Sequence, residues 1–515
     1  MKLKINFPEI LFYTSVILVV YMFFENILND MPFVDSSIYI MMGNIIKDNK
    51  EIYNDLWDHK GPILYLINFF GSLLTDKSSI GINIIQLILF LLLIFFLKKK
   101  IVLKENLKNY LIIFFILSYI TLFIGGNSPA DWFILTATYI YVIFFNYVTI
   151  PNYLNLKEKK IFCFFLGLST CFIFLIKFSL INGLLFISLI FFYFNKKIFF
   201  NLLKFYIFGV ICILPIIVLL LKNENLLNDI IDNYLIMNFH YGFQKSIDEN
   251  IILKLLRSIY INLRDKFFII ITALALIIFN IYLIFSFIFK KKITEIFKLF
   301  LNQQLTIFLI IFIFDLLSIL VSHIFEISYK SLIPSMLIFN LFFLTKMNLN
   351  YNLKKLNIIP MLALILISLY FNHEKIFTKK FNYNDLLFIK NLNQEIKKNH
   401  DLSTLAIGSL GNGTMLFIKT DLVSISNYHF TPFIRNFNIL DPIYQDYLEK
   451  IKLKKPRYII LNPYMFGTFW ENENKHIKEI TRILKEDYKG LKIKLSDSKG
   501  EGLKMFKNTS IYILR

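Results

Sequence analysis

The chain has 515 residues, 56% of them hydrophobic and 17% aromatic, with a mean hydropathy of +0.59. This composition excludes an ordinary soluble domain and predicts an α-helical polytopic membrane protein. The formal net charge of +20 would suit nucleic acid, but many of the lysines gather at the ends of apolar runs. There they act as topology signals, so no nucleic-acid partner is expected.

The first apolar run, about Ile10 to Leu28, follows Lys2 and Lys4, which hold its start in the cytoplasm. It lacks a small-residue cleavage pattern and reads as a retained span. Next comes a polar interruption, Asn29 to Gly81, carrying Asp35, Asp55, Asp58, His59 and Lys60. Charge held at a membrane surface needs a task or a partner, and acids beside a lysine and a histidine can bind an anion and move a proton. Within it, Pro62 to Leu74 is apolar but covers about 20 Å at ~1.5 Å per residue, short of the ~30 Å hydrocarbon core. It is expected to lie along the interface, one of two helices flanking an acid-rich loop and forming a floor for a lipid-borne substrate. The plain alternative is a solvated turn that caps a helix.

A second span, about Ile82 to Leu97, returns to Lys98, Lys99 and Lys100. The third (about Leu111 to Ile124) surfaces at Gly125 to Trp132, and the fourth (about Phe133 to Val148) goes back in to Lys157, Lys159 and Lys160. The run Ile161 to Phe194 is too long for one span and splits at Lys177-Phe178-Ser179, placing Lys177 outside. A seventh span, about Phe205 to Leu221, leads to an outer loop, Lys222 to Lys266, with Asp232, His240, Tyr241, Arg257 and Arg264. Four more follow: about Phe267 to Phe289, Leu305 to Leu320, Leu332 to Leu344 and Leu356 to Phe371. The total expected is about 11 to 13 transmembrane helices. The three cysteines, Cys163, Cys171 and Cys212, lie inside apolar runs without metal-ligand spacing.

From Asn372 the apolar runs shorten and charge rises, leaving about 140 residues, one small domain by length. Leu405 to Gly408, Tyr458 to Leu461 and Ser510 to Leu514 read as strands and His476 to Asp487 as a helix. The expected division is a membrane domain over 1–371 and a small extracytoplasmic α/β domain over 372–515. Gly408-Ser409-Leu410-Gly411-Asn412-Gly413 has the wrong spacing for a dinucleotide fingerprint and reads as a turn.

This arrangement resembles the C-type integral-membrane glycosyltransferases, in the branch holding protein O-mannosyltransferases and lipid A aminoarabinose transferases. Asp35 matches the acid after that family's first span, with Ser36 where a Glu is usual. Asp58-His59-Lys60-Gly61-Pro62 is similar to its acidic-or-His, Lys, Pro, Pro motif, with Gly61 replacing one proline. Asn127 to Asp131 sits where the family places a second acid, and Leu166 to Phe186 looks like its Gly-rich helix ending in a functional lysine, here Lys177. The family often has a His-Tyr pair before a proline-containing helix; here Ser328-Tyr329 stands there, with His323 earlier in the chain.

The resemblance implies transfer of a sugar from a polyprenyl-phosphate donor to a glycan, lipid or protein acceptor, at the outer face of a bacterial plasma membrane, with inversion. Lys60 and Lys177 would meet the phosphate and Asp35 would take the acceptor proton. Asp58, His59, Asn127 and Asp131 would orient the sugar or hold the lysines. Asp232, His240, Tyr241 and His323 would lie on the acceptor side, and Arg257 and Arg264 would touch anionic headgroups. No cofactor is implied for certain. Asp35, Asp58 and His59 include metal-binding types, but their spacing is no recognised ligand set. The competing readings are a lipid-linked glycan polymerase, a flippase or a transporter. A transporter should carry mid-bilayer charges on broken helices in two related halves, whereas here the charges gather on the outer side.

Overall fold

The structure, a computed structural model, describes residues 7–30, 34–56, 58, 60–100, 112, 116, 155–177, 181, 184–185, 187–188, 191–192, 195–221, 225–237, 383–407, 412–426, 428, 437–461, 475–491 and 510–515. They are mostly helical, with one small mixed sheet. The expected third, fourth and eighth to eleventh spans lie outside the described residues, apart from Ile112 and Ile116 in the third. Among the described residues two stretches, Ile80–Lys99 and Lys196–Pro215, are long and apolar enough to cross a membrane by length and composition.

Helix α1 (Phe7–Asn29) and α4 (Ile80–Lys100) run antiparallel. Phe23 meets Phe90 with ring centroids 6.2 Å apart, while at the other end Lys98 Nζ lies 4.5 Å from the Phe12 ring and 5.1 Å from that of Tyr13. Such cation–π contacts contribute ~0.5–1 kcal/mol each at exposed sites. The lysine cluster after the second apolar run thus returns to the start of the first.

The polar interruption is itself built of helices. α2 spans Val34–Lys47 and α3 spans Pro62–Leu74. Gly43 of α2 lies so close to α3 that an added Cβ would come within 2.5 Å of the Asn68 carbonyl carbon. α3 stops where the hydropathy pattern stops: Thr75 is extended, and its N–H still reaches Gly71 O at 3.2 Å.

α5 (Leu156–Phe174) begins before the expected Ile161, because Asn155 and Glu158 form a capping box. Asn155 Oδ1 accepts from the Glu158 N–H at 3.0 Å, and the Asn155 N–H reaches Glu158 Oε2 at 2.8 Å. Satisfied first-turn donors carry the helix through its lysines, which hydropathy alone does not allow for. α6 (Phe199–Leu221) likewise starts before the expected Phe205, after a 3₁₀ turn over Lys196–Ile198. α5 and α6 cross through reciprocal glycines: a Cβ on Gly167 would lie 2.0 Å from Tyr206 O, and one on Gly209 2.0 Å from Phe164 O. Small residues let two backbones approach where Phe and Leu would hold them apart.

The C-terminal part is a three-layer α/β unit. Its sheet has the order β2-β1-β3-β5-β4, from β1 (Ser403–Ile407), β2 (Val423–Ser424), β3 (Tyr458–Leu461), β4 (Tyr488–Gly490) and β5 (Ser510–Leu514). β1 is parallel to β2 and β3, and β5 is antiparallel to β3 and β4. Side chains alternate with the period of two that a strand imposes. Ala406, Tyr458, Ile460, Ile511 and Ile513 face α7 (Tyr383–Ile396) and α8 (Asn412–Lys419), while Leu405, Ile407, Ile459 and Leu461 face α9 (Phe437–Lys454) and α10 (Lys475–Asp487). The two-residue β2 and three-residue β4 are too short to carry a sequence pattern.

The glycine crossing gives a direct test. Gly209→Ala should lower the melting temperature of the purified full-length chain, by overpacking worth ~1–3 kcal/mol or more. Gly490→Ala, where nothing lies within 4 Å of the new Cβ, should leave it nearly unchanged.

Candidate active site

A helix leaves its first N–H groups and last carbonyls without partners inside the helix. At the start of α3 and the end of α5 these groups meet. Ile63, in the first turn of α3, donates its N–H to Leu175 O at 3.3 Å. The Phe174 carbonyl takes the hydroxyl of Tyr234, whose ring also meets that of Phe174 edge-on at 6.0 Å. Ile173 O accepts from Lys177 N at 2.9 Å. The junction requires glycine at 61, because a Cβ there would stand 1.8 Å from Leu175 O. Lys60 immediately precedes Gly61, and Lys177 follows Leu175 by one intervening residue. Two lysines far apart in sequence therefore flank one backbone contact.

The turn that carries Lys60 is fixed from both sides by tyrosine hydroxyls. Tyr53 Oη donates to Lys60 O at 2.6 Å, and the Lys60 N–H donates to Tyr65 Oη at 3.0 Å. Tyr65 in turn donates to Asp58 Oδ2 at 2.9 Å. Asp58 is 1% exposed, so its carboxylate serves this network, and of the roles open to it from sequence the geometry favours holding the lysine turn. The Lys60 backbone is pinned while its side chain is half-buried.

Tyr53 adopts a positive φ of 69°, an outlier for a bulky residue. Its N–H bonds to Leu56 O at 2.9 Å and its ring meets Tyr65 edge-on at 5.7 Å. Strain of this kind costs ~1–3 kcal/mol and persists where the surroundings over-determine it, as at functional sites. Burial, then the negative charge of Asp58, raises the Tyr53 hydroxyl well above the usual tyrosine range, with Tyr234 and Asp229 adding to it. Burial and Asp58 raise Tyr65 in the same way. Both hydroxyls are held as neutral donors.

Tyr234 and Asp229 arrive on a short helical turn, Leu226–Asp229, that runs into a π-helix, Ile230–Ile236. Tyr234 is buried against the end of α5, whereas Asp232, the acid expected on the acceptor side, is exposed. Asp35 lies in the first turn of α2, and its side chain lies outside the described residues. So do His59, Asn127, Asp131, His240, Tyr241, His323, Arg257 and Arg264. The structure thus brings together Asp58, Lys60 and Lys177, and adds Tyr53, Tyr65, Tyr234 and Asp229, which sequence reasoning passed over. With 28 tyrosines in the chain, none stands out. The signal that could have found Tyr65 is its place one turn into the helix that follows DHKGP. Among the described residues no three His, Cys, Asp or Glu side chains could jointly hold a metal ion.

Tyr65→Phe removes a donor from a buried carboxylate and should cost ~1–3 kcal/mol in thermal unfolding, with Gly61→Ala costing more. The pH dependence follows from the raised tyrosines. Their folded pKa lies above the unfolded value near ~10, so their contribution is full below that pH and is lost as pH rises through the folded pKa. Burial also raises Tyr428, Tyr444, Tyr458 and Tyr488 of the C-terminal domain, so in an ultraviolet tyrosinate titration the late-ionising group of the wild type should lose one hydroxyl in Tyr53→Phe and one in Tyr65→Phe.

Compared with protein-family models, curated proteins and solved structures, the chain matches none.

Proposed function

We propose that the chain is a membrane glycosyltransferase that moves a sugar from a polyprenyl-phosphate donor to an acceptor hydroxyl at the outer membrane face. The observation that carries this reading is the junction of Gly61 with Leu175, which sets Lys60 and Lys177 on either side of one rigid backbone contact. Cleavage of a sugar–phosphate bond leaves a phosphate dianion, and preorganised cations stabilise charge that develops there. Lysine, a compact charge, suits phosphate.

A membrane setting agrees with the described helices. α1 turns Ile10, Ile17, Phe24 and Leu28 outward, and Leu28 is 79% exposed. α4 and α6 do the same with Phe95 and Phe208. Apolar faces of this extent call for lipid or a partner. α3 exposes Phe70, Leu73 and Leu74 on a helix too short to cross, as suits one lying in the interface.

In the reaction the acceptor oxygen attacks the anomeric carbon opposite the phosphate. The carbon–oxygen bond to phosphate breaks, and its electron pair leaves with the polyprenyl phosphate, toward Lys60 and Lys177. The acceptor proton passes to the Asp35 carboxylate. One displacement inverts the anomeric centre and needs no covalent sugar intermediate. Asp58 keeps the Lys60 turn in place.

The test extracts lipid-linked sugars and surface glycans from cells carrying the wild type, Asp35→Asn, Lys60→Ala or Lys177→Ala, with mass spectrometry as the readout. A polyprenyl monophosphate sugar should accumulate and one glycan sugar disappear, with transfer falling about 10²-fold or more for each variant. Unchanged pools, with the variants correctly inserted, would refute the transferase and favour a transporter or flippase.

A further inference from the structure

Asp30 follows the last residue of α1 with a left-handed backbone, φ 39°, shortly before Asp35. Its Oδ1 accepts from Ser78 Oγ at 2.7 Å, from the Ser79 N–H at 2.9 Å and from Ser79 Oγ at 3.1 Å, so it caps the approach to α4. Its Oδ2 takes Lys419 Nζ at 2.8 Å. Lys419 is the last residue of α8 in the C-terminal domain; its side chain is 15% exposed, and its carbonyl is held by Asn393 Nδ2 at 3.0 Å. One carboxylate therefore joins the end of α1, the start of α4 and the outer domain. With Asp30 31% exposed, this charge-assisted bond is more shielded than Lys47–Asp76, whose side chains are 34% and 63% exposed.

A second contact runs beside it. α8 lies along α2, and Met41 of α2 packs against the domain core around Met415 and Leu416. Elsewhere on α2, Gly43 lies against the backbone of α3 at Asn68 and Phe69, and Tyr39 meets the ring of Tyr65 at 6.4 Å. α2 is thus held between the outer domain and the helix whose tyrosine fixes the Lys60 turn.

We propose that the C-terminal domain is a positioning part of the active site. Through Lys419–Asp30 and Met41 it sets α2, and with it Asp35, relative to Lys60. The inference rests on the glycosyltransferase reading for its catalytic consequence. Lys419 and Met41 are positioning residues, acting on Asp35 through α2.

The test is hydrogen exchange on the full-length chain in lipid nanodiscs, read peptide by peptide, with turnover of a polyprenyl-phosphate sugar measured on the same preparations. Lys419→Met should speed exchange in α2 about tenfold while β1 and β3 stay protected. It should lower turnover with the donor KM unchanged within about twofold, and Lys419→Arg should restore both. If β1 and β3 lose protection in Lys419→Met, Asp30→Asn, which removes the charge from the other side, carries the same comparison. Unchanged exchange in α2 overturns the proposal, as does unchanged turnover despite faster exchange. A wild type that turns over no lipid-phosphate sugar refutes the glycosyltransferase reading by itself, and exchange in α2 alone then decides whether the domain holds that helix.

Discussion

The described site depends on two helix ends meeting. α5 reaches its terminus with carbonyls that its own backbone cannot satisfy, and α3 begins with donors in the same position. Ile63 N–H to Leu175 O, Tyr234 Oη to Phe174 O and Lys177 N–H to Ile173 O answer most of this need in one place. Buried backbone groups without partners cost ~1–3 kcal/mol each, so the junction is stabilised by what would otherwise be lost. The dipoles of the two helices run head to tail across it, and the partial negative charge at the end of α5 also favours a lysine there. The structural demand and the proposed chemical one coincide at Lys177.

Gly61 is what lets the ends touch, and the tyrosines are what keep the turn before it rigid. A lysine that binds phosphate by charge alone loses side-chain entropy on doing so, and a fixed backbone lessens the ordering left to the ligand. Tyr53 and Tyr65 provide this by gripping Lys60 at its carbonyl and its N–H. Their hydroxyls remain protonated because burial and Asp58 oppose ionisation, so the grip does not change across physiological pH.

α2 links this turn to the rest of the molecule. It is amphipathic in an unusual sense, with a methionine completing the core of an α/β domain and a glycine admitting the backbone of α3. Asp30 lies just ahead of it and binds three hydroxyl or amide donors and one lysine. The C-terminal domain is therefore joined to the helical part by packing and by charge.

How much of this was legible in the sequence differs by element. The bounds of α3, the break at Lys177, the strands β1, β3 and β5 and the helix α10 follow from hydropathy, period and breakers, which act over neighbouring residues. The early starts of α5 and α6 escaped because lysines lower hydropathy while a capping box or a 3₁₀ turn still begins the helix; Asn155 and Glu158 did carry that signal. Lys60 and Lys177 were readable as charges that an apolar chain keeps for a reason. Their shared backbone contact, the burial of Asp58 and the roles of Tyr53, Tyr65, Tyr234 and Asp30 were decided by the tertiary structure alone. The sequence by itself determined which groups are costly to place in an apolar chain. The partner that offsets each cost is set by segments distant in sequence meeting in space, and no local pattern encodes such a meeting.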